Sequence, residues 1–279
     1  MDMYQTIDKL ARSIHEQSVA DRRNMHQYPE TGWFEMRTSA IIAKRLTELG
    51  YEVLTGRQVC DAASRMGVPA KEALEAHYEA IQSQDTPMDY VTEDMREGFT
   101  GVIGILRCGD GPVAALRFDI DALPMTENST TEHRPTREGF ASKNPGCMHA
   151  CGHDSHIAMG LGTAKVLSEI REHLTGTVKL IFQPGEEGAR GAKSIAAAGH
   201  LEDVDYFAGT HIAPDDTIDD GDITPGTYGS LATTKLDITF KGQAAHAGGF
   251  PEKGRSALLA AAHAAVGLAG EHPDAVQPL

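Results

Sequence analysis

The sequence predicts an α/β fold: a domain built on a largely parallel sheet with helices on both faces, followed by the beginning of a second domain. Three observations predict it. Short apolar runs bounded by glycines recur between residues 100 and 212, and helical stretches separate them. The pattern then restarts at Ala232 as one strand and one helix. Strands buried on both faces read as continuous apolar runs, and strand–helix alternation builds a parallel sheet.

In chain order, residues 4–26 predict a helix. "SAIIAKRLTELG" (39–50) predicts another, with Ile41, Ile42, Leu46 and Leu49 near helical spacing and Gly50 as its stop. Residues 57–98, including "AKEALEAHYEAIQSQ", read as a polar, mostly helical insertion between strands rather than core. "TGVIGIL", "GPVAALRFDID", "GTVKLIFQ" and "DYFAGTHI" predict strands. "HIAMGLGTAKVLSEIREHL" and "GARGAKSIAAAG" predict the helices between them. These elements make one α/β domain over residues 1–231, which the family resemblance given below makes the catalytic domain. Beyond it, "TTKLDITFKG" alternates as a strand should, "AAHAGGFPEKG" is a turn-rich loop, and "SALLAAAHAAVGLAG" is a helix ending at Gly270. One strand and one helix cannot bury their own apolar face. Residues 232–279 therefore read as the start of a second domain without its remainder, which the same resemblance implies is an inserted α+β lid and dimerisation domain.

Composition narrows the function. Apolar residues make up 41% of the 279, which suits a packed core. The net charge of −15 argues against a nucleic-acid partner, whose phosphates need a basic surface. The acidic excess peaks in "PDDTIDDGD" (214–222), most simply a solvated loop. No apolar run approaches the ~18 residues of a membrane span. The N-terminus is polar and carries acids early, so a cytoplasmic location and no membrane partner are expected. None of the four cysteines, Cys60, Cys108, Cys147 and Cys151, belongs to a C-x-x-C pair, and a disulfide framework is not expected.

Chemistry-bearing residues gather at the ends of the expected strands. Asp119 and Asp121 end one. Cys151 and His153, within "HACGHDSH" (149–156), precede a helix. Glu186 and Glu187 follow "VKLIFQPG", and His211 ends "DYFAGTH". A parallel sheet brings such carboxyl ends to one rim. One thiolate, one carboxylate and two imidazoles form a donor set for zinc, manganese or a similar divalent ion. Adjacent glutamates offer one carboxylate to bind metal and another to move a proton. Each residue also has a plainer reading: a helix-capping turn around a core cysteine, acids favoured at a helix start, a satisfied core histidine at His211, a turn histidine at His246, solubilising strand-end aspartates. Their coincidence at successive strand ends favours the joint site.

"RFDIDALP", "MHACGHDSH", "LIFQPGEEGARGA", "GTHI" and "FKGQAAHAGGFPEKGRSALLAAA" resemble, in this order, the metallo-amidohydrolases related to aminoacylase, a family that includes hippurate hydrolases and indole-acetyl-amino-acid hydrolases. Within it, "SRMGVP" and "HRPTREGFAS" resemble the A-type subunits of the aminobenzoyl-glutamate hydrolase subgroup. The resemblance runs from about Arg22 to the end. It implies two divalent ions, Mn or Zn, held by Cys151, His153, Glu187 and His211, with Cys151 bridging. It makes Glu186 the general acid/base and Asp121 the aspartate that orients a ligand. His246 becomes the lid histidine that reaches across a dimer to the oxyanion.

The implied reaction is hydrolysis of an N-acyl or N-aroyl amino acid, in particular aminobenzoyl-glutamate to aminobenzoate and glutamate, a step of folate catabolism. Arg134 and Arg137 are candidates to pair with a substrate carboxylate, or ordinary surface charges. The alternatives are a general N-acyl-amino-acid deacylase of the hippuricase type and a shortened remnant that binds metal or a partner. The family's sheet resumes after the lid and supplies a last histidine ligand. The sequence ends inside the lid, and neither His263 nor His272 matches that ligand. The expected partners are the small-molecule substrate and, through the lid, a second copy or a related subunit.

Overall fold

The chain, seen as a computed structural model, is described over residues 2–212, 219, 221–224, 226, 236 and 238–270. It divides into two compact units, Met1–Ile223 and Thr224–Leu279.

The first unit opens with α1 (Met3–Ser13) and α2 (His15–Gln27). The single helix expected over 4–26 breaks at Ile14, which caps α1 at φ −97° and ψ 0°. Helix α3 (Met36–Glu48) buries Met36, Ala40, Ile42, Ala43 and Leu46. Its first amides are capped by Glu30, whose carboxylate accepts from Arg37 N at 3.0 Å and Thr38 N at 2.8 Å. Gly50 (φ +79°) ends the turn after it, as expected.

Then follow β1 (Glu52–Thr55), α4 (Lys71–Ile81), α5 (Glu93–Arg96), β2 (Val102–Arg107) and β3 (Val113–Asp119). Next come α6 (Arg134–Glu138), α7 (His153–Glu169), β4 (Thr177–Gln183), α8 (Ala192–Ala197) and β5 (Tyr206–Gly209).

The sheet runs β1-β2-β4-β3-β5. β3 pairs in parallel with β4 and β5, whereas β2 pairs antiparallel with β4 and β1. The α/β class stands, but the sheet is mixed. The four-residue β1, missing from the sequence expectation, and β2 supply its antiparallel side.

Alternation along the strands divides the core. Leu106, Phe118, Leu180 and Phe182 face Met25, Ile42, Leu46, Ile157 and Leu161 from α2, α3 and α7. Ile103, Ile105, Ala115 and Ile181 face Trp33, Val59, Cys60, Phe99 and Ile195 on the other side. Helices therefore cover both faces. The 57–98 stretch departs from its expected role outside the core. Val59 and Cys60 pack on one face and Met95 on the other, all at most 1% exposed. β5 also differs from the strand expected to be buried on both faces. Among the described residues it pairs only with β3, and Tyr206 and Phe207 are exposed.

In the second unit Gln243 and Arg255 exchange two backbone hydrogen bonds of 2.9 Å, and α9 (Ala257–Gly270) is the expected final helix. The strand expected in "TTKLDITFKG" and the acidic 214–222 stretch lie partly outside the described residues, and His272 lies wholly outside them. Among the described residues no helix is long and apolar enough to cross a membrane.

Candidate metal centre

The three parallel strands point their carboxyl ends to one rim of the first unit, where open α/β sheets gather their ligands. Asp119 and Asp121 leave β3 there, the Gly185–Gly191 turn leaves β4, and His211 follows β5. Helix α7 starts beneath them with His153 in its first position. Gly152 caps it at φ +81°, and a side chain there would collide with that of Ile212, so only glycine fits.

Hydrogen bonds fix the two histidines. His153 Nδ1 donates to the carbonyl of Asp121 at 2.8 Å, and His211 Nδ1 to that of Ile212 at 2.7 Å. Each ring therefore keeps its Nε2 lone pair free. His211 Nε2 lies 3.4 Å from Cys151 Sγ. His153 Nε2 lies 3.9 Å from both Glu186 Oε2 and Glu187 Oε1. His153 Nε2 and Glu187 Oε1 are buried without any hydrogen-bond partner. Ligand atoms of Cys151, His153 and Glu187 lie within 4.8 Å of one another. Two buried polar atoms converging without a hydrogen-bond partner form an arrangement that a cation could satisfy.

The Glu186–Glu187 turn is held from three sides. Asp121 Oδ2 accepts from Glu187 N at 2.9 Å, and the buried Glu35 accepts from Gly185 N at 2.8 Å. Arg190 N and Gly191 N both return to the Gly185 carbonyl, at 3.0 and 2.8 Å. Ala189 takes φ +55° to close this turn, strain of a kind that collects at functional sites.

The charges follow from these placements. Burial, reinforced by the Glu187 carboxylate, pushes the Cys151 thiol to about 12, so a thiolate here requires a neighbouring cation. Burial and the Asp119 charge raise the Glu186 carboxyl above the ordinary range. Burial opposes protonation of His153, yet its hydrogen bond to Asp121 and the surrounding acids raise it overall. For Asp119 burial works upward, but the His156 hydrogen bond and the Arg117 guanidinium, 2.7 Å away, hold it below the ordinary value.

His156, which the sequence reading assigned no role, occupies the centre of this arrangement. Its Nδ1 donates to Asp119, and its Nε2 accepts from Ile212 N at 3.0 Å. With both nitrogens engaged, it braces the segment bearing His211. Its ring stands 5.2 Å from His153 and 4.6 Å from His211. Its signal was the spacing of three residues from His153, one helical face. Asp119, His153, His156 and His211 form a second geometric group of metal-capable atoms.

The remaining expected residues each sit within their own unit. His246 belongs to the second unit. Gly248 N and Gly249 N donate to its Nδ1 at 3.2 and 2.9 Å, which leaves the ring proton on Nε2. Arg134 and Arg137 are exposed, and both have Glu138 within salt-bridge reach. His263 lies on α9.

Comparison with known proteins follows the same motifs. Residues 115–278 match the peptidase family M20/M25/M40. The chain is 46% identical over 263 residues to the indole-3-acetyl-aspartic acid hydrolase of Enterobacter agglomerans, covering 94% of this chain and 60% of that one. It is 43% identical over 265 residues to the A-type subunit of p-aminobenzoyl-glutamate hydrolase from Escherichia coli (strain K12), covering 95% and 60%. The crystal structure of the aminobenzoyl-glutamate utilization protein from Klebsiella pneumoniae superposes with a TM-score of 0.66 at 35% identity, over 98% of this chain and 61% of that one. The chain thus spans about three fifths of the length of the relatives it matches.

Proposed function

The chain belongs to the peptidase family M20/M25/M40, and on that premise we propose that its first unit carries the metal-binding part of an amidohydrolase site for N-acyl or N-aroyl derivatives of acidic amino acids. The observation that carries this reading is the pair of buried, unpartnered atoms His153 Nε2 and Glu187 Oε1 converging with Cys151 Sγ. Cys151, His153, Glu187 and His211 are the proposed ligands of two divalent ions, Mn or Zn. A soft thiolate, two imidazoles and a carboxylate suit either. Bound there, the ions supply Lewis acidity to the scissile carbonyl and to an attacking water.

The chain's own residues do the rest. Asp121 holds His153 by its carbonyl and the Glu187 backbone by its carboxylate, so one residue orients two ligands. Glu186, half-exposed and raised in pKa, takes the proton of the water and passes it to the leaving amine. Glu187 is assigned to the metal because its Oε1 is buried and unpartnered, whereas Glu186 is the more exposed of the two. His246 of a second copy, reaching across a dimer with its proton on Nε2, is the proposed donor to the oxyanion. The second unit is the proposed lid and association surface, where a second copy or a related subunit would cover Leu258, Leu259 and Val266 of α9, each more than half exposed.

Two relatives act, by name, on an aspartate and a glutamate conjugate, which supports an acidic amino-acid half. They differ in acyl group at 46% and 43% identity, so indole-acetyl and aminobenzoyl groups are both carried forward. The test is hydrolysis by the metal-loaded protein of aminobenzoyl-glutamate, indole-acetyl-aspartate, hippurate and an acetylated neutral amino acid. Faster cleavage of the acidic conjugates is expected. A preference for hippurate or the acetylated neutral amino acid favours the general deacylase instead.

A further inference from the structure

We propose that His26 is a positioning residue: its imidazolium, bridging Asp154 and Glu127, locks the first turn of α7, and His153 with it, onto the Glu127–Asn144 segment. What this lock serves rests on the metal-site reading above; the lock itself rests on geometry alone. His26 Nδ1 lies 2.8 Å from Asp154 Oδ2, and Nε2 lies 2.8 Å from Glu127 Oε1. All three side chains are at most 6% exposed. A neutral imidazole has one N–H and one lone pair, so it would satisfy one carboxylate and oppose the other. Only the imidazolium donates to both.

The groups facing His26 favour that charge. Asp154 approaches from α7 and Glu127 from the segment after β3. Arg22 reaches the same Asp154 oxygen at 3.2 Å, and His133 the same Glu127 oxygen at 2.7 Å. The neutral-leaning His149 and the Phe140 ring, 5.6 Å away, complete the shell. Burial disfavours the imidazolium, but hydrogen bonds and charge from Asp154 and Glu127 prevail and raise His26 above its ordinary value.

Each carboxylate carries the lock onward. Asp154 follows His153 directly, and its second oxygen accepts from Ser155 N at 2.9 Å. Glu127 closes its own segment by accepting from Ser142 N. That segment then docks on the end of α2, through Lys143 N to the Gln27 carbonyl at 2.8 Å and Asn144 Nδ2 to the Pro29 carbonyl at 2.9 Å. The "HRPTREGFAS" stretch lies inside the locked segment.

The test uses the whole chain, stripped of metal by chelation. Nuclear magnetic resonance follows the His26 ring with pH, and competition with a chromophoric chelator gives Zn²⁺ affinity. In the wild type, His26 is expected to titrate above the ordinary histidine value of ~6.5. In Glu127→Gln the amide donates to a neutral ring, so the His26 pKa falls while Zn²⁺ affinity holds. His26→Gln and Glu127→Ala leave a buried carboxylate or ring nitrogen unpaired, and Zn²⁺ affinity should drop about 10–100-fold, as for other groups that orient metal ligands. Lys165→Gln, on the exposed face of α7, should change neither readout. If His26→Gln does not fold, the contrast between Glu127→Ala and its conservative counterpart Glu127→Gln decides. A purely structural His26 would lower stability but leave the Zn²⁺ affinity of folded variants intact. That result, or a wild-type His26 titrating at or below the ordinary value, overturns the proposal. A wild type that takes up no Zn²⁺ refutes the metal reading instead, and the ring titration still decides the lock.

Discussion

Replacing Gly160 with alanine should separate stability from metal binding. Gly160 lies on α7, two turns after His153, where the helix crosses the sheet. A Cβ there would stand 2.5 Å from Phe182 Cε1, 2.9 Å from its Cζ and 3.0 Å from Phe118 Cδ2. Carbon contacts settle near ~3.5 Å or beyond, so the helix must withdraw by roughly 1 Å. The rings cannot yield: they stack on each other at 5.5 Å and are 0% and 5% exposed. Overpacking of this kind costs about 1–3 kcal/mol. Alanine returns about 1 kcal/mol of helix propensity over glycine. The net loss should therefore stay below about 2 kcal/mol, measured by denaturant unfolding. Metal sites tolerate displacements of only ~0.2 Å. A withdrawn His153 should thus weaken metal affinity tenfold or more, measured by chelator competition. Gly160→Ala that binds metal as tightly as the wild type would refute the claim that this close approach sets the position of His153.

Other expectations follow from individual groups. Glu187→Gln should lose metal, whereas Glu186→Gln should keep it and lower turnover by about 10²–10⁴-fold; the opposite pattern reverses their roles. In the metal-free chain the Cys151 thiol, pushed up to about 12 by burial and Glu187, should resist alkylation near pH 8, and rapid labelling there would contradict the buried-thiol account. His77 donates to Glu30 at 2.7 Å; burial lowers its pKa, but the Glu30 hydrogen bond and charge raise it overall. A raised folded value means its contribution is full below the unfolded ~6.5 and fades as pH rises through the folded value. His77→Gln should therefore destabilise the chain more at pH 5.5 than at pH 9 in parallel urea titrations, and equal losses would exclude this linkage.

The parts of this fold that the sequence made legible are those where local pattern and tertiary role agree. Glycine-bounded apolar runs marked β2, β3 and β4 because their residues alternate between two buried faces. The clustering of Cys151, His153, Glu186, Glu187 and His211 was legible because carboxyl ends of neighbouring parallel strands meet at one rim. Strand order was not. Periodicity says nothing of partners, so the insertion of β4 between β2 and β3, and the antiparallel pairing that results, left no local trace. Val59, Cys60 and Met95 sit in a polar stretch whose few apolar residues are the ones buried, a pattern too sparse to read as core. His156 was overlooked because its role lies in partners from β3 and the segment after β5, distant in sequence. The continuous early helix failed at Ile14, where no proline or glycine warned of a break.

The central claim is that Cys151 and His153, with Glu187 beside them, form a divalent-metal site. The direct measurement is metal content per chain after Zn²⁺ or Mn²⁺ reconstitution and removal of excess ion, comparing the wild type with the Cys151→Ala, His153→Ala double variant, both checked for folding by circular dichroism. Retained metal in the wild type and its loss in the folded double variant are expected. Equal metal content in the two would contradict the account.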